Sequence, residues 1–215
     1  WVGADVARRR GKPLSYAPLV PAPRGGVGAG AWRRRGGGET RRCLPGNVAA
    51  ALAPRRPARH PGIMRADYDD LAARLAALAE GETDAIALMA TVACELHHAD
   101  DRFDWTGFYR VAAPGLLKVG PYQGGHGCLS IPFDKGVCGA CARTGEAQLV
   151  PDVDLFPGHI ACSSSTRSEV VVPVRDATGR LVALLDVDSD RPAAFDEEDV
   201  RGLERVIEAA FGGLA

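Results

Sequence analysis

The chain has 215 residues, 26 basic and 27 acidic, for a net charge of −1. No stretch approaches the roughly 18 apolar residues of a membrane-spanning helix, and six cysteines in a chain long enough to bury an ordinary core do not call for the disulfide framework of a small secreted fold. These observations exclude a helical membrane protein and a disulfide scaffold, and predict a soluble cytoplasmic protein with no membrane partner.

The near-neutral balance hides two opposite halves. Residues 1–63 contain 12 Arg, 11 Ala, 11 Gly and 8 Pro and carry a charge of +11, which leaves −12 for residues 64–215. Arg, Gly, Pro and Ala in that proportion cannot build a core. An acid-poor, Arg-rich arm resembles a nucleic-acid contact or an organelle transit peptide. Met64 is the first methionine of a chain that begins with Trp1, however, and these four residue types are also what GC-rich codons yield when translated without selection. The arm is therefore expected to be a disordered extension from an over-extended start, with no nucleic-acid partner, and residues 64–215 a single catalytic domain.

Along that domain, Leu71, Leu75 and Leu78 recur at helical spacing between Tyr68 and Glu80, and Gly81 gives a stop. A second helix is predicted from Asp84, with Ile86, Met89, Ala93 and Leu96 on its buried face. The pattern then turns to strands. Trp105–Val111 and Leu116–Gln123 read as a hairpin around Pro114-Gly115, and Cys128–Phe133 as a short strand; Val137–Thr144 is a short helix closed by Gly145, and Ala147–Val153 is strand-like. A Gly- and Ser-rich loop from Leu155 to Ser168 carries Cys162, and Glu169–Arg175 and Arg180–Asp188 follow as two further strands. Pro173 implies an edge or a bulge, because it removes a ladder donor. Asp196 is a predicted N-cap, with Glu197, Glu198 and Asp199 in the first turn and Phe195 stapled to Val200, opening a helix through Leu203, Val206, Ile207 and Phe211. The elements describe an α+β domain: about six mostly antiparallel strands flanked by N- and C-terminal helices.

The chemistry-bearing residues cluster in the second half. Strand alternation puts Asp186 and Asp188 on one face, and a hairpin closed by an even-length loop at Asp176–Gly179 sets Glu169 opposite Asp186. Three carboxylates then share a face, unless a bulge or an odd loop shifts the register. Their mutual repulsion and partial burial raise at least one pKa and make a proton donor near neutral pH; the plain alternatives are a solvated acidic strand end or a cation site. Trp105, Gly107 and Tyr109 share a face and flank a concave spot suited to a small apolar group, or simply pack a core. Cys162 sits in a loop where His159 could favour a thiolate. Cys138 and Cys141 form a C-x-x-C at a helix start, a position that lowers a thiol pKa; with His126 and Cys128 they could instead make a Cys₃His zinc site. Cys43 and Cys94 look incidental.

Read together, Trp105-Thr-Gly-Phe-Tyr109, Gly120-Pro-Tyr-Gln-Gly124, Ile131-Pro-Phe-Asp-Lys-Gly-Val-Cys-Gly139, Val150-Pro-Asp-Val153, Phe156-Pro-Gly-His-Ile-Ala-Cys162, Ser168-Glu-Val-Val-Val-Pro173 and Leu185-Asp-Val-Asp-Ser189 closely resemble the free methionine-(R)-sulfoxide reductase family, whose members are built on a single GAF domain. The resemblance extends from about Asp67 to Leu203. It implies Cys162 as nucleophile, Cys128 as the principal resolving thiol, Cys138 as a further redox cysteine, Glu169, Asp186 and Asp188 as substrate-binding acids, and Trp105 and Tyr109 around the substrate methyl. Ser163 departs from the family, where an acid commonly follows the catalytic cysteine, and Cys141 is an extra thiol that opens an alternative disulfide partner.

The resemblance further implies free methionine-(R)-sulfoxide as substrate, no bound cofactor or metal, an external reductant such as thioredoxin, and a homodimer. The competing reading is a non-enzymatic GAF sensor of a small ligand, since a fold does not fix a function. A zinc-stabilised interaction module is the third, and it predicts stoichiometric metal.

Overall fold

The computed structural model describes residues 65–160 and 162–214. The expected disordered extension over residues 1–63, the start at Met64 and the incidental Cys43 lie outside the described residues. Helix α1 (Tyr68–Ala79) starts where the Asp67 side chain accepts from the Asp70 N–H, and α2 (Ala85–His97) where Asp84 accepts from Ile86. Each cap satisfies a backbone donor that the first helical turn leaves unpaired. The buried face of α2 is Leu88, Met89, Val92, Ala93 and Leu96. Ile86, expected on that face, is instead 42% exposed; it stands in the first turn, ahead of the first buried positions of the helix, Leu88 and Met89.

The strands are β1 (Trp105–Ala113), β2 (Leu116–Gln123), β3 (Ser130–Pro132), β4 (Gln148–Val150), β5 (Ser168–Arg175) and β6 (Leu181–Ser189), in the sheet order β3-β2-β1-β6-β5-β4 with every pairing antiparallel. Helix α3 (Gly136–Thr144) lies between β3 and β4 in sequence, and α4 (Glu197–Phe211) follows β6. Cys128 is not in a strand as expected: β3 begins only at Ser130, because the glycine-punctuated segment before it makes a loop. The predicted strand to Val153 is likewise shortened to Gln148–Val150, and a 3₁₀ turn, Val153–Leu155, capped by Asp152, takes over.

The sheet is buried on both faces. Val170, Val172 and Val174 of β5 and Ala183, Leu185 and Val187 of β6 face α1, α2 and α4 in one apolar core. The alternate positions, Val171 and Leu184 among them, face the other way and pack with Trp105, Tyr109, Val137, Cys138 and Cys141 beneath α3. Period-two alternation on strands covered twice is what brings polar residues of the second face into the interior.

The β5–β6 register corrects the sequence expectation. Arg175 pairs with Leu181 across a five-residue loop, and a bulge between Val174 and Arg175 adds a second one-residue shift, so Glu169 stands opposite Asp188 and Val171 opposite Asp186. Either irregularity alone would turn the carboxylates away from one another; together they restore the parity, and Glu169, Asp186 and Asp188 remain on one face. Pro173 is tolerated because β4 pairs β5 only at residues 169–171. Beyond Val171, β5 is an edge and needs no donor on that side.

Helix α4 begins with a reciprocal capping box between Asp196 and Asp199. Asp199 also joins a buried network that the sequence did not disclose. Arg102 bridges Asp100 at 2.6 Å and Asp199 at 2.8 Å, and the Tyr68 hydroxyl donates to Asp199 at 2.8 Å. These groups tie α1, α4 and the segment before β1 together.

Candidate active site

The three carboxylates converge under α3. Glu169 and Asp186 are 7% and 5% exposed, and Asp188 is half-buried. β1 completes the wall: Trp105 pairs with Asp188 and Gly107 with Asp186. Helix α3 places Cys138 against the acids. Its entry needs Gly136, whose φ of 66° other residues rarely adopt, and its exit is Gly145 at φ 71°. The Cys138 thiol donates to Asp186 Oδ2 at 3.3 Å and lies 4.0 Å from Glu169 Oε1.

Among the described residues no basic side chain pairs with these acids, so burial dominates their titration. Desolvation, reinforced by the Asp186 and Asp188 charges, pushes the Glu169 carboxyl well above its ordinary range. Desolvation also raises Asp188, with Asp186 adding to it. Asp186 is pushed up to about 7 by burial, while hydrogen bonds from Cys138 and Glu169 oppose the rise. Burial thus favours the protonated form of all three carboxyls.

The C-x-x-C thiols behave opposite to expectation. Burial, then Asp186, pushes Cys138 well above its usual value. The same causes push Cys141, which is fully buried, up to about 12. Desolvation and neighbouring anions outweigh the helix start. Nor does a Cys₃His set assemble: the metal-ligating groups that converge among the described residues are Cys138, Glu169 and Asp186.

Cys128 and Cys162 are joined in a disulfide with Cα atoms 5.1 Å apart. The Cys162 loop is tied to α3 by the Gly136 N–H donating to the Gly158 carbonyl at 3.0 Å. A cavity beside it is walled by Cys162, His159, Cys138, Glu169, Asp186 and Asp188 together with Ile131, Val137 and Ile160. Cys94 stands apart on α2, exposed and 4.0 Å from His98 Nδ1.

Trp105 and Tyr109 share the acids' face but not the cavity. The spot over Gly107 expected to be concave is filled by the Trp105 indole itself, which stacks between Tyr109 and Tyr122 at centroid distances of 5.8 and 5.3 Å. The loop leading to Cys128 lies across this pair: Trp105 Nε1 donates to the Gly125 carbonyl at 3.2 Å, the Cys128 N–H donates to the Tyr109 oxygen, and a Cβ on Gly127 would stand 3.0 Å from both rings' atoms. With the disulfide closed, the aromatic wall holds the loop. Tyr122 is marked by no charge or nucleophile in the sequence, although its place opposite Gly107 in the hairpin is the kind of contact that register reveals; Thr166 and Ile160, which also line the cavity, come from an irregular loop and carry no such signal.

The GAF domain family matches residues 66–210. Protein YtsP of Bacillus subtilis (strain 168) is 41% identical over 150 residues, covering 69% of this chain and 91% of that protein. The free methionine-R-sulfoxide reductase of Escherichia coli (strain K12) is 35% identical over 140 residues, covering 65% of this chain and 84% of that enzyme. The X-ray structure of the free methionine-R-sulfoxide reductase from Neisseria meningitidis in complex with its substrate is 39% identical, with a TM-score of 0.60 over 66% of this chain and 89% of that one. The match of this six-stranded antiparallel sheet over most of the length of such relatives places the chain in the GAF domain family and, within it, among the free methionine-R-sulfoxide reductases.

Proposed function

We propose that the protein reduces free L-methionine-(R)-sulfoxide, with Cys162 as nucleophile and Cys128 as resolving thiol. The observation that carries this reading is the Cys128–Cys162 disulfide, whose Cys162 end stands in the wall of the same cavity as Glu169, Asp186 and Asp188. A sulfoxide oxygen leaves only when protonated, and a carboxyl whose pKa is raised by burial is a competent donor. Glu169 or Asp188 gives that proton as the Cys162 thiolate attacks. The S–O bond breaks, methionine departs, and Cys162 carries the oxygen as a sulfenic acid. The Cys128 thiol then displaces it as water and forms the disulfide. An external dithiol, thioredoxin in the reading carried over from the family, takes up the oxidation by exchange.

Unpaired buried acids also suit the α-ammonium of a free amino acid, which a peptide-bound methionine lacks. Asp186 is the member assigned to that cation or to holding the cluster in place. Trp105 and Tyr109 receive the substrate methyl once reduction of the disulfide releases the loop that covers them. Cys138 serves as a further redox thiol. The active unit is assigned as a homodimer in a reducing cytoplasm, which light scattering and fractionation of the native protein test; no helix among the described residues is long and apolar enough to cross a membrane.

The test is methionine formation from racemic free sulfoxide with dithiothreitol. The account expects turnover to stop when the R epimer is spent. Equal rates on a peptide-bound sulfoxide would remove the substrate assignment, and ligand binding with no methionine formed would favour a sensor.

A further inference from the structure

We propose that Cys138, Glu169 and Asp186 form a binding site for a divalent cation of the zinc class. One thiol sulfur and two carboxylate oxygens lie within 4.8 Å of one another. Zinc bonds of about 2.3 Å to sulfur and about 2.0–2.2 Å to oxygen place tetrahedral sulfur and oxygen ligands about 3.5 Å apart. The observed separations from Cys138 Sγ, 3.3 Å to Asp186 and 4.0 Å to Glu169, bracket that value. Apart from the hydrogen bond shared between the Glu169 and Asp186 carboxyls, nothing donates to the second Asp186 oxygen, Oδ1, which is buried, and an acceptor left unsatisfied in the interior is costly unless something fills its place.

The donor set chooses the class of ion. A thiolate with two carboxylates suits borderline-soft zinc or cadmium over magnesium or calcium, which take oxygen ligands in larger numbers. All three residues rest on regular elements, α3, β5 and β6, so the donors are held in place. The three also line the cavity, which supplies the entry path and a fourth, open position. Binding exchanges protons for metal: the Cys138 thiol and any carboxyl of the set that is protonated release theirs to solvent, the ion takes up the three anionic ligands, and no electron is transferred. Affinity therefore falls as pH falls. Resting on the proposed function, one consequence is inhibition, because the ion occupies carboxylates that the substrate needs.

Cadmium is the direct probe, titrated into the full chain with the Cys128–Cys162 disulfide intact and followed by thiolate-to-cadmium absorption and by proton release in weak buffer. The expected result is a saturable signal accompanied by proton release. Cys138→Ser should weaken cadmium binding about tenfold or more and remove the absorption, Glu169→Gln should weaken binding comparably, and Cys94→Ser should leave both unchanged. Asp186→Asn supplies a second carboxylate variant, and thermal melts of each protein identify any that does not fold. Wild-type affinity in Cys138→Ser, or in both carboxylate variants, would overturn the site. Methionine formation by metal-free enzyme is measured in parallel. Binding without activity removes the proposed function and leaves the site; activity without binding removes the site alone.

Discussion

The two faces of the sheet are built from alternate residues of the same strands, yet they solve opposite problems. The face under α1, α2 and α4 takes valines and leucines from β5 and β6 and closes into a dry core. Its ionisable residues Arg102, Asp100, Asp199 and Tyr68 are partnered with one another. The face under α3 takes Glu169, Asp186 and Asp188 from those strands and gives them no cation among the described residues. The difference teaches where stability has been given up: buried ionisable groups are held by opposite charge on one face and left in mutual repulsion on the other, as a site that must bind or protonate something requires.

The sharpest way to break the comparison is on the site face. Cys162→Ser should lower turnover about a thousandfold or more, to background, while leaving the melting temperature of the reduced protein nearly unchanged, since steady-state methionine formation then lacks its nucleophile. Multiple turnovers by this variant would remove Cys162 from its role. On the helix face, Arg102→Ala strands two buried carboxylates and should cost about 3–5 kcal/mol of stability by denaturant titration. A loss near zero would show that the network is solvated after all. Gly202→Ala tests the same face by packing: a Cβ there would run into the Tyr68 ring, and overpacking should cost about 1–3 kcal/mol.

The acids predict a pH signature of the opposite sign from an ordinary paired carboxylate. Asp186 titrates at about 7 folded against 3.8 for the unperturbed group. The folded state therefore binds more protons in that window, and stability falls as pH rises from about 4 through about 7. Glu169 and Asp188, also raised, contribute with the same sign, so Asp186→Asn should lessen this dependence and raise stability at pH 8 by ~1 kcal/mol or more, while reducing activity. A dependence unchanged in the variant would place the titration elsewhere. The smallest effect is expected at Trp105→Phe, which loses the indole bond to the Gly125 carbonyl and should cost about 0.5–1.5 kcal/mol in the disulfide-closed form, read as the difference between oxidised and reduced melts.

How much of this was legible in the sequence differs between the faces as well. Helix starts at Asp84 and Asp196 follow local hydrogen-bonding chemistry, and the apolar alternation of β5 and β6 survives any even register change, so the fold and the common face of the three acids could be read directly. The pairing of Glu169 with Asp188 rather than Asp186 could not, because it depends on a bulge and an odd loop whose shifts add. The Arg102 network joins residues nearly a hundred positions apart, and no periodicity records such a contact. The raised thiols of Cys138 and Cys141 escaped for the same reason: their helix position is local information, whereas the desolvation and the Asp186 charge that decide their titration come from tertiary packing.

The central claim is that a Cys162 thiolate takes the oxygen of a sulfoxide with help from the buried acids. Its most direct test is a single turnover: fully reduced protein, racemic free methionine sulfoxide in excess, no added reductant, and quench followed by methionine counting and disulfide mapping. The account predicts about one methionine per chain, with the new disulfide between Cys128 and Cys162. No methionine, or methionine formed while both of these thiols remain reduced, would contradict it.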